Sequence, residues 1–330
     1  MYVGSTGPEG VHHLVDEVVQ NAVDEAMAGA CNQIDVCIQA DGALSVMDNG
    51  RGIPVDLHPD IGRPACEVVL THVHAGGKFG GTGYSVAGGL HGVGLSCVNA
   101  LSAELQLDVW RNAEHFQQHF TRGEPNGDLA NLGASTQTSG TRVVFRPDPE
   151  IFQDAQVDRQ ILERRMQEQA FLHPGLVVSL ADEASDSRQT YTYDTGIVGF
   201  VEHLNQGRTP LHQTLHFTGE QDGIEIDVAI QWTNGYAEDI SSYVNSIRTP
   251  QGGTHLDGLK AALTQVINRY GTQHRLLNAD TDEEIAGYDV REGMTCVLSI
   301  RMPQPEFEGQ TKTALTSPGA GSTVDAFVSG

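Results

Sequence analysis

A chain of 330 residues exceeds the roughly 100–200 of a typical domain, and 39% hydrophobic content is enough for two separate cores. Its 43 acidic residues against 19 basic ones leave a net charge of −24, which repels phosphate backbones and argues against a nucleic-acid grip by this chain alone. Five scattered cysteines without zinc or disulfide spacing, no apolar run near the ~18 residues of a membrane span, and no signal-peptide pattern together read as a cytoplasmic protein that enters no membrane.

The spacing predicts a helix over residues 9–27, with Val11, Leu14, Val15, Val18, Val19, Ala22, Val23, Ala26 and Met27 forming one apolar stripe. The opposite face carries His13, Glu17, Asn21, Asp24 and Glu25, and the four-residue spacing lines up His13, Glu17 and Asn21. Taken alone, such a face is an ordinary solvated surface. Residues 34–39 alternate as a strand, Ala40-Asp41-Gly42 is a hairpin turn, and residues 44–47 return as a second strand. Asp48-Asn49-Gly50-Arg51-Gly52-Ile53-Pro54 then breaks the sheet. A turn explains the glycines. A carboxylate at the end of a buried strand nevertheless costs free energy unless it accepts hydrogen bonds, and an adenine amino group is a suitable donor. Glycines on either side of Arg51 would let a flat base approach the backbone.

Residues 75–94 hold nine glycines, which alone would suit a flexible linker. Lys78, Tyr84 and His91 interrupt the run, and residues 95–101 continue it directly as an apolar helix. Backbone amides at a helix N-terminus bind phosphate, so the segment is a candidate lid over a triphosphate. It is neither a P-loop nor a dinucleotide fingerprint, because the required spacing is missing from both. Residues 112–150 read as strands that include Thr141–Phe145, residues 158–171 as a helix, and residues 184–196 as a polar loop near a domain boundary. Residues 224–232 and 294–302 read as strands and residues 256–270 as an amphipathic helix. The expectation is an α+β protein with domains 1–194 and 195–330, each packing helices on a mostly antiparallel sheet.

In this order the motifs resemble those of the GHKL ATPases, and within them the ATPase subunits of bacterial type II topoisomerases, gyrase B and topoisomerase IV B. The resemblance rests on Glu17–Glu25, Asp48–Pro54, His74-Ala-Gly-Gly-Lys78-Phe79, Gly88–Gly94, Gly252-Gly-Thr-His255 and Gln310-Thr-Lys312. The last two look like the topoisomerase branch, whereas the earlier ones are shared with mismatch-repair proteins, chaperones and sensor kinases. It implies a GHKL sandwich of helices on a mixed sheet, then a ribosomal-protein-S5-like α/β transducer domain. It also implies ATP and Mg²⁺. Glu17 would be the general base with His13 orienting it, and Asn21 would hold the metal. Asp48 and Thr141 would bind adenine among Glu25, Arg51, Gly52, Ile53 and Pro54. Lys78, Tyr84, Gly89, Leu90, His91, Gly92, Val93, Gly94 and Leu95 would wrap the phosphates, and Gln310 and Lys312 would reach the γ-phosphate.

The implied function is ATP hydrolysis driving gate closure and DNA strand passage. The implied partners are a second copy through the ATPase domain, a DNA-cleaving A-type subunit in a heterotetramer, DNA itself, and aminocoumarin inhibitors that touch Arg111. Relatives carry an arm before the Met-Tyr-Val-Gly segment and a metal-binding domain beyond the equivalent of residue 330. Their absence here leads to the expectation of a mainly monomeric chain with slow turnover and no DNA cleavage of its own. Ser85 stands where relatives often have lysine, and Pro318 disfavours a straight helix after Lys312. Two other readings stand beside this one: a nucleotide-gated interaction module with little hydrolysis, and a mismatch-repair ATPase.

Overall fold

The apolar stripe near the N-terminus becomes helix α1 (Pro8–Met27), opened by a proline in its first turn, where the missing N–H has no partner to lose. The computed structural model describes residues 3–74, 92–153, 155–277 and 284–330; Lys78, Tyr84, Ser85, Gly89, Leu90 and His91 lie outside the described residues. Two units are separated by their internal contacts, Met1–Asp194 and Thr195–Gly330.

In the first unit, β1 (Gln33–Ile38) and β2 (Leu44–Asp48) form the expected hairpin, and α2 (Ala65–Thr71) and α3 (Gly94–Ala100) follow. Strands β3 (Ser102–Arg111), β4 (Glu114–Thr121), β5 (Glu124–Pro125), β6 (Ala130–Ala134) and β7 (Gly140–Pro147) come next. Then come α4 (Pro149–Phe152), α5 (Arg159–Leu172), β8 (Val177–Asp182) and β9 (Ser187–Tyr191). The sheet order is β5-β4-β3-β7-β2-β1-β8-β9, with β6 alongside β4. All pairs are antiparallel except β1 with β8. One face of the sheet supplies Ile34, Val36, Leu44, Val46, Leu107, Val109, Val143 and Phe145 to a core shared with Leu14, Val15 and Val18 of α1 and Leu162 and Met166 of α5. The other face is polar: Asp108 accepts from Gln106, His115, Gln117 and Arg142.

Two stretches correct the sequence reading. Strands begin at Ser102, not 112, which adds β3, and Ser187–Tyr191 is a strand within the expected polar loop. β9 is an edge strand paired only with β8 and contributes no buried face, so it carries no apolar alternation to read.

In the second unit, helix α6 (Gly196–Leu204) precedes β10 (Leu215–Gln221), β11 (Ile224–Trp232), β12 (Asp239–Val244) and β13 (Ile247–Arg248). Helices α7 (Thr254–Gln273) and α8 (Gly287–Val290), strand β14 (Met294–Arg301) and helix α9 (Pro318–Ser329) complete it. The sheet order is β10-β11-β14-β12-β13, with β12 and β14 parallel. Ile226, Val228, Ile230, Leu298 and Ile300 share a core with Leu259 of α7 and Ala320 and Val324 of α9. α7 and α9 pack so closely that a Cβ on Gly258 would stand 2.1 Å from the carbonyl oxygen of Gly321. Pro318 occupies the first turn of α9, and the Gln310–Lys312 segment before it is a turn. Among the described residues, no helix is long and apolar enough to cross a membrane.

Candidate active site

Helix periodicity places Glu17, Asn21 and Glu25 one above another on α1, about 6 Å apart along the axis. They do not form a uniformly solvated face. Glu17 and Asn21 are half-buried, while Glu25 is buried and the neighbouring Asp24 is fully so, accepting from Gln20 Nε2 at 3.0 Å. The sheet end beside α1 explains the difference.

Asp48 is the last residue of β2, opposite Ile34 of β1 and Thr141 of β7, and only 4% exposed. Its Oδ1 accepts from the Gly50 N–H at 2.8 Å. Glu25 accepts from the Arg51 N–H at 3.0 Å and takes its guanidinium in a fork, Nε at 3.0 Å and Nη2 at 2.8 Å. The loop after β2 is thus held between two carboxylates, and Gly50 lies against both: a Cβ there would stand 2.8 Å from Asp48 Oδ1 and 2.9 Å from Glu25 Oε2. Gly52 has φ +76°, and a Cβ on it would come within 2.4 Å of the Trp110 carbonyl oxygen, so no side chain fits there. Arg111 Nη1 donates to the carbonyls of Arg51 at 3.2 Å and Gly52 at 2.7 Å. The buried Thr141 hydroxyl accepts from the Ile53 N–H at 3.3 Å, and Pro54 beyond it is exposed.

Glu17 lies at a second locus on the same helix. A Cβ on Gly94 would stand 2.2 Å from Glu17 Oε2, so the carboxylate packs on the first residue of α3, followed by the buried Leu95. His13 Nδ1 is 3.8 Å from Asp16 Oδ2, and Asp16 is bound by Arg165 of α5. Gly92 closes the glycine run by accepting from the His74 N–H at 3.0 Å, and Val93 is buried. The first unit therefore brings together Glu25, Asp48, Arg51, Gly52, Ile53, Arg111 and Thr141, with Glu17, Gly94 and Leu95 further along α1. Gln310 and Lys312 belong to the second unit.

Burial, reinforced by the nearby Glu25 carboxylate, raises Asp48 to a pKa of about 7. The folded protein keeps this proton up to about pH 7, whereas the unfolded chain releases it near the ordinary carboxylate value. Ionising Asp48 in place therefore removes stability progressively as pH rises from about 4 to about 7, with the full penalty above that. Asp48→Asn keeps an acceptor for Gly50 without the charge. Its thermal stability is expected to match or fall below wild type near pH 4 and to exceed it by about 1–3 kcal/mol at pH 8, the gain offset in part by an unpaired amide. A variant less stable than wild type at pH 8 would contradict the buried-charge account.

Sequence reasoning missed how the glycines serve the site. Gly50 and Gly52 admit the two carboxylates and the β3 backbone, and in this role they leave no room for side chains of their own. The group around Asp108 was also missed, although Gln106 and Asp108, alternating with Leu105, Leu107 and Val109, signalled a polar side to β3.

Residues 6–151 match the family of histidine kinase-, DNA gyrase B-, and HSP90-like ATPases, and residues 196–330 match DNA gyrase B. The DNA gyrase B protein of Halalkalibacterium halodurans is 47% identical over 330 residues, covering 99% of this chain and 52% of the relative. That of Streptococcus pyogenes is 49% identical over 319 residues, covering 96% and 49%. The chain thus spans about half the length of the curated relatives it matches. Among solved structures, the ATPase domain of Thermus thermophilus gyrase B in complex with an aminocoumarin superposes with TM-score 0.82 at 37% identity, covering all of this chain and 85% of that one. The topoisomerase IV ATP-binding domain of Francisella tularensis, in complex with a small-molecule inhibitor, gives 0.78 at 28% identity and 88% coverage.

Proposed function

This chain belongs to the DNA gyrase B family of GHKL ATPases, and on that premise we propose that it binds ATP in its first unit and transfers the terminal phosphoryl group to water. The observation that carries the proposal is Asp48, a carboxylate kept at the end of a strand with 4% exposure despite its cost. An adenine amino group gives that carboxylate a further donor beside the Gly50 N–H, with the Thr141 hydroxyl next to it. Hydrolysis needs positioning, charge neutralisation and a base, because phosphoryl transfer involves little covalent chemistry by the protein. Glu17 takes the proton from the attacking water, the water oxygen bonds to the γ-phosphorus, and the bridging oxygen leaves with ADP.

The half-buried Asn21, between Glu17 and Glu25, offers a single amide oxygen. That suits Mg²⁺, a hard ion that keeps several waters and takes phosphate oxygens. When bound, it neutralises phosphate charge. Gly92, Val93, Gly94 and Leu95 present backbone at the start of α3 to the phosphates, and the family resemblance adds Lys78, Tyr84, Gly89, Leu90 and His91 as phosphate contacts. His13 orients Glu17, and Lys312 with Gln310 from the transducer domain reaches the γ-phosphate. The packing of Glu17 on Gly94 favours hydrolysis over a binding-only module, since it aims a base at the phosphate loop.

In the whole protein, closure of two ATPase domains would drive DNA strand passage, with an A-type subunit cutting the DNA in the cytoplasm. An aminocoumarin tests the assignment. It is expected to displace ADP competitively, and Arg111→Ala is expected to weaken the inhibitor by about tenfold or more, the scale of losing a hydrogen bond from a charged group. Fluorescent ADP that stays bound at saturating inhibitor would count against the proposed site.

A further inference from the structure

Gly252-Gly-Thr-His255 shares one hydrogen-bonded frame with Thr313–Ser317, the residues that directly follow Gln310-Thr-Lys312. The Gln251 N–H donates to the Thr313 carbonyl, the Leu315 N–H to that of Gly252 and the Thr254 N–H to that of Leu315, each at 3.0 Å. The Thr254 hydroxyl adds a bond to the Ser317 carbonyl at 2.8 Å. The Thr254 N–H is one of the orphan donors in the first turn of α7, so the 309–317 segment caps that helix. A shift of Leu315 uncaps α7.

Gly253 closes the frame. Its φ is +120°, and a Cβ there would stand 2.2 Å from the Leu315 carbonyl oxygen and 2.4 Å from the Leu315 nitrogen. Lys312, three residues before Leu315, is only 7% exposed and has φ +55°, so its placement follows the shape of the loop. His255 is fully buried with Nε2 3.2 Å from the Thr249 hydroxyl, and burial lowers its pKa to about 4, which makes it a neutral packing group.

The geometry points to Gly253 and Thr254 as positioning residues that set Lys312 for the γ-phosphate, an inference that rests on the role of Lys312 proposed above. A methyl on Gly253 forces the Leu315 backbone away by about 1 Å to reach ordinary contact, and a displacement of that size at a catalytic group costs about 100-fold.

The test compares Gly253→Ala, Thr254→Val, Lys312→Ala and Gly258→Ala in the same chain, each checked for a cooperative melt. Gly258→Ala is the control, because its methyl meets the Gly321 carbonyl at 2.1 Å and pushes on α9 without touching the Leu315 backbone that the Gly253 methyl meets. Affinities for ADP and a non-hydrolysable ATP analogue are measured beside kcat. Gly253→Ala is expected to lower analogue affinity and kcat by about 100-fold with ADP within about twofold, and Thr254→Val to move both the same way by less. Gly258→Ala is expected to keep the wild-type ratio of the two affinities.

An unchanged ratio in Lys312→Ala would overturn the role of Lys312 and the inference with it. A changed ratio there, beside unchanged ratios in folded Gly253→Ala and Thr254→Val, would overturn the positioning role alone. An equal change in Gly258→Ala would do the same. Should Gly253→Ala fail to fold, Thr254→Val decides.

Discussion

Glu17→Gln is expected to lower ATP turnover by about 100-fold or more while leaving ADP and ATP affinity near wild type, the usual scale for losing a positioned base. The amide preserves the size of the side chain and its seat on Gly94, where Oε2 stands 2.2 Å from a notional Cβ. It removes only the capacity to accept a proton from water. The proposed adenine site lies farther along α1, around Glu25 and the adjoining Asp48, so binding and chemistry are expected to separate in this variant. Phosphate release at saturating ATP checks the first half of the expectation and nucleotide titration the second. Turnover within a few-fold of wild type would remove Glu17 from the role of base.

Asp48→Ala is expected to weaken ATP and ADP alike by about 1.5–3 kcal/mol, the scale of a hydrogen bond to a charged group. The loss is expected to be equal because adenine is common to both ligands and the proposed phosphate end lies around Glu17 and Gly94. Above about pH 7, where Asp48 is ionised in the fold, the same substitution relieves a buried charge, so the apo protein does not lose stability in proportion. A site that keeps a costly carboxylate for its ligand shows this opposition of stability and function. Calorimetry that found ATP weakened but ADP untouched would move Asp48 to the phosphate end.

Much of this architecture was legible in the chain because its periodicities are strong. The stripe from Val11 to Met27 defined α1 within a residue at its start, and Asp41-Gly42 marked the turn between β1 and β2. β9 was not legible: Ser187-Arg-Gln-Thr-Tyr191 lies at a sheet edge, where backbone pairing and not side-chain burial makes the strand. The burial of Asp24 and Glu25 was hidden as well, since an acidic residue on a helix looks the same whether it meets water or Arg51. Long-range packing decides such cases. The link between Gly253 and Leu315 belongs to the same class, because no local pattern announces that a glycine in one loop faces the backbone of another.

In the proposed site, Asp48 of β2 reads adenine beside Glu25 at one end of α1, while Glu17, two turns earlier on that helix, performs chemistry. Calorimetric titration of ADP into wild type, Asp48→Ala and Glu17→Gln separates these two roles, because ADP carries the adenine without the scissile phosphate. The expected affinity is about 10- to 150-fold weaker in Asp48→Ala and unchanged in Glu17→Gln. Equal affinity in wild type and Asp48→Ala, or a matching loss in Glu17→Gln, would contradict that assignment.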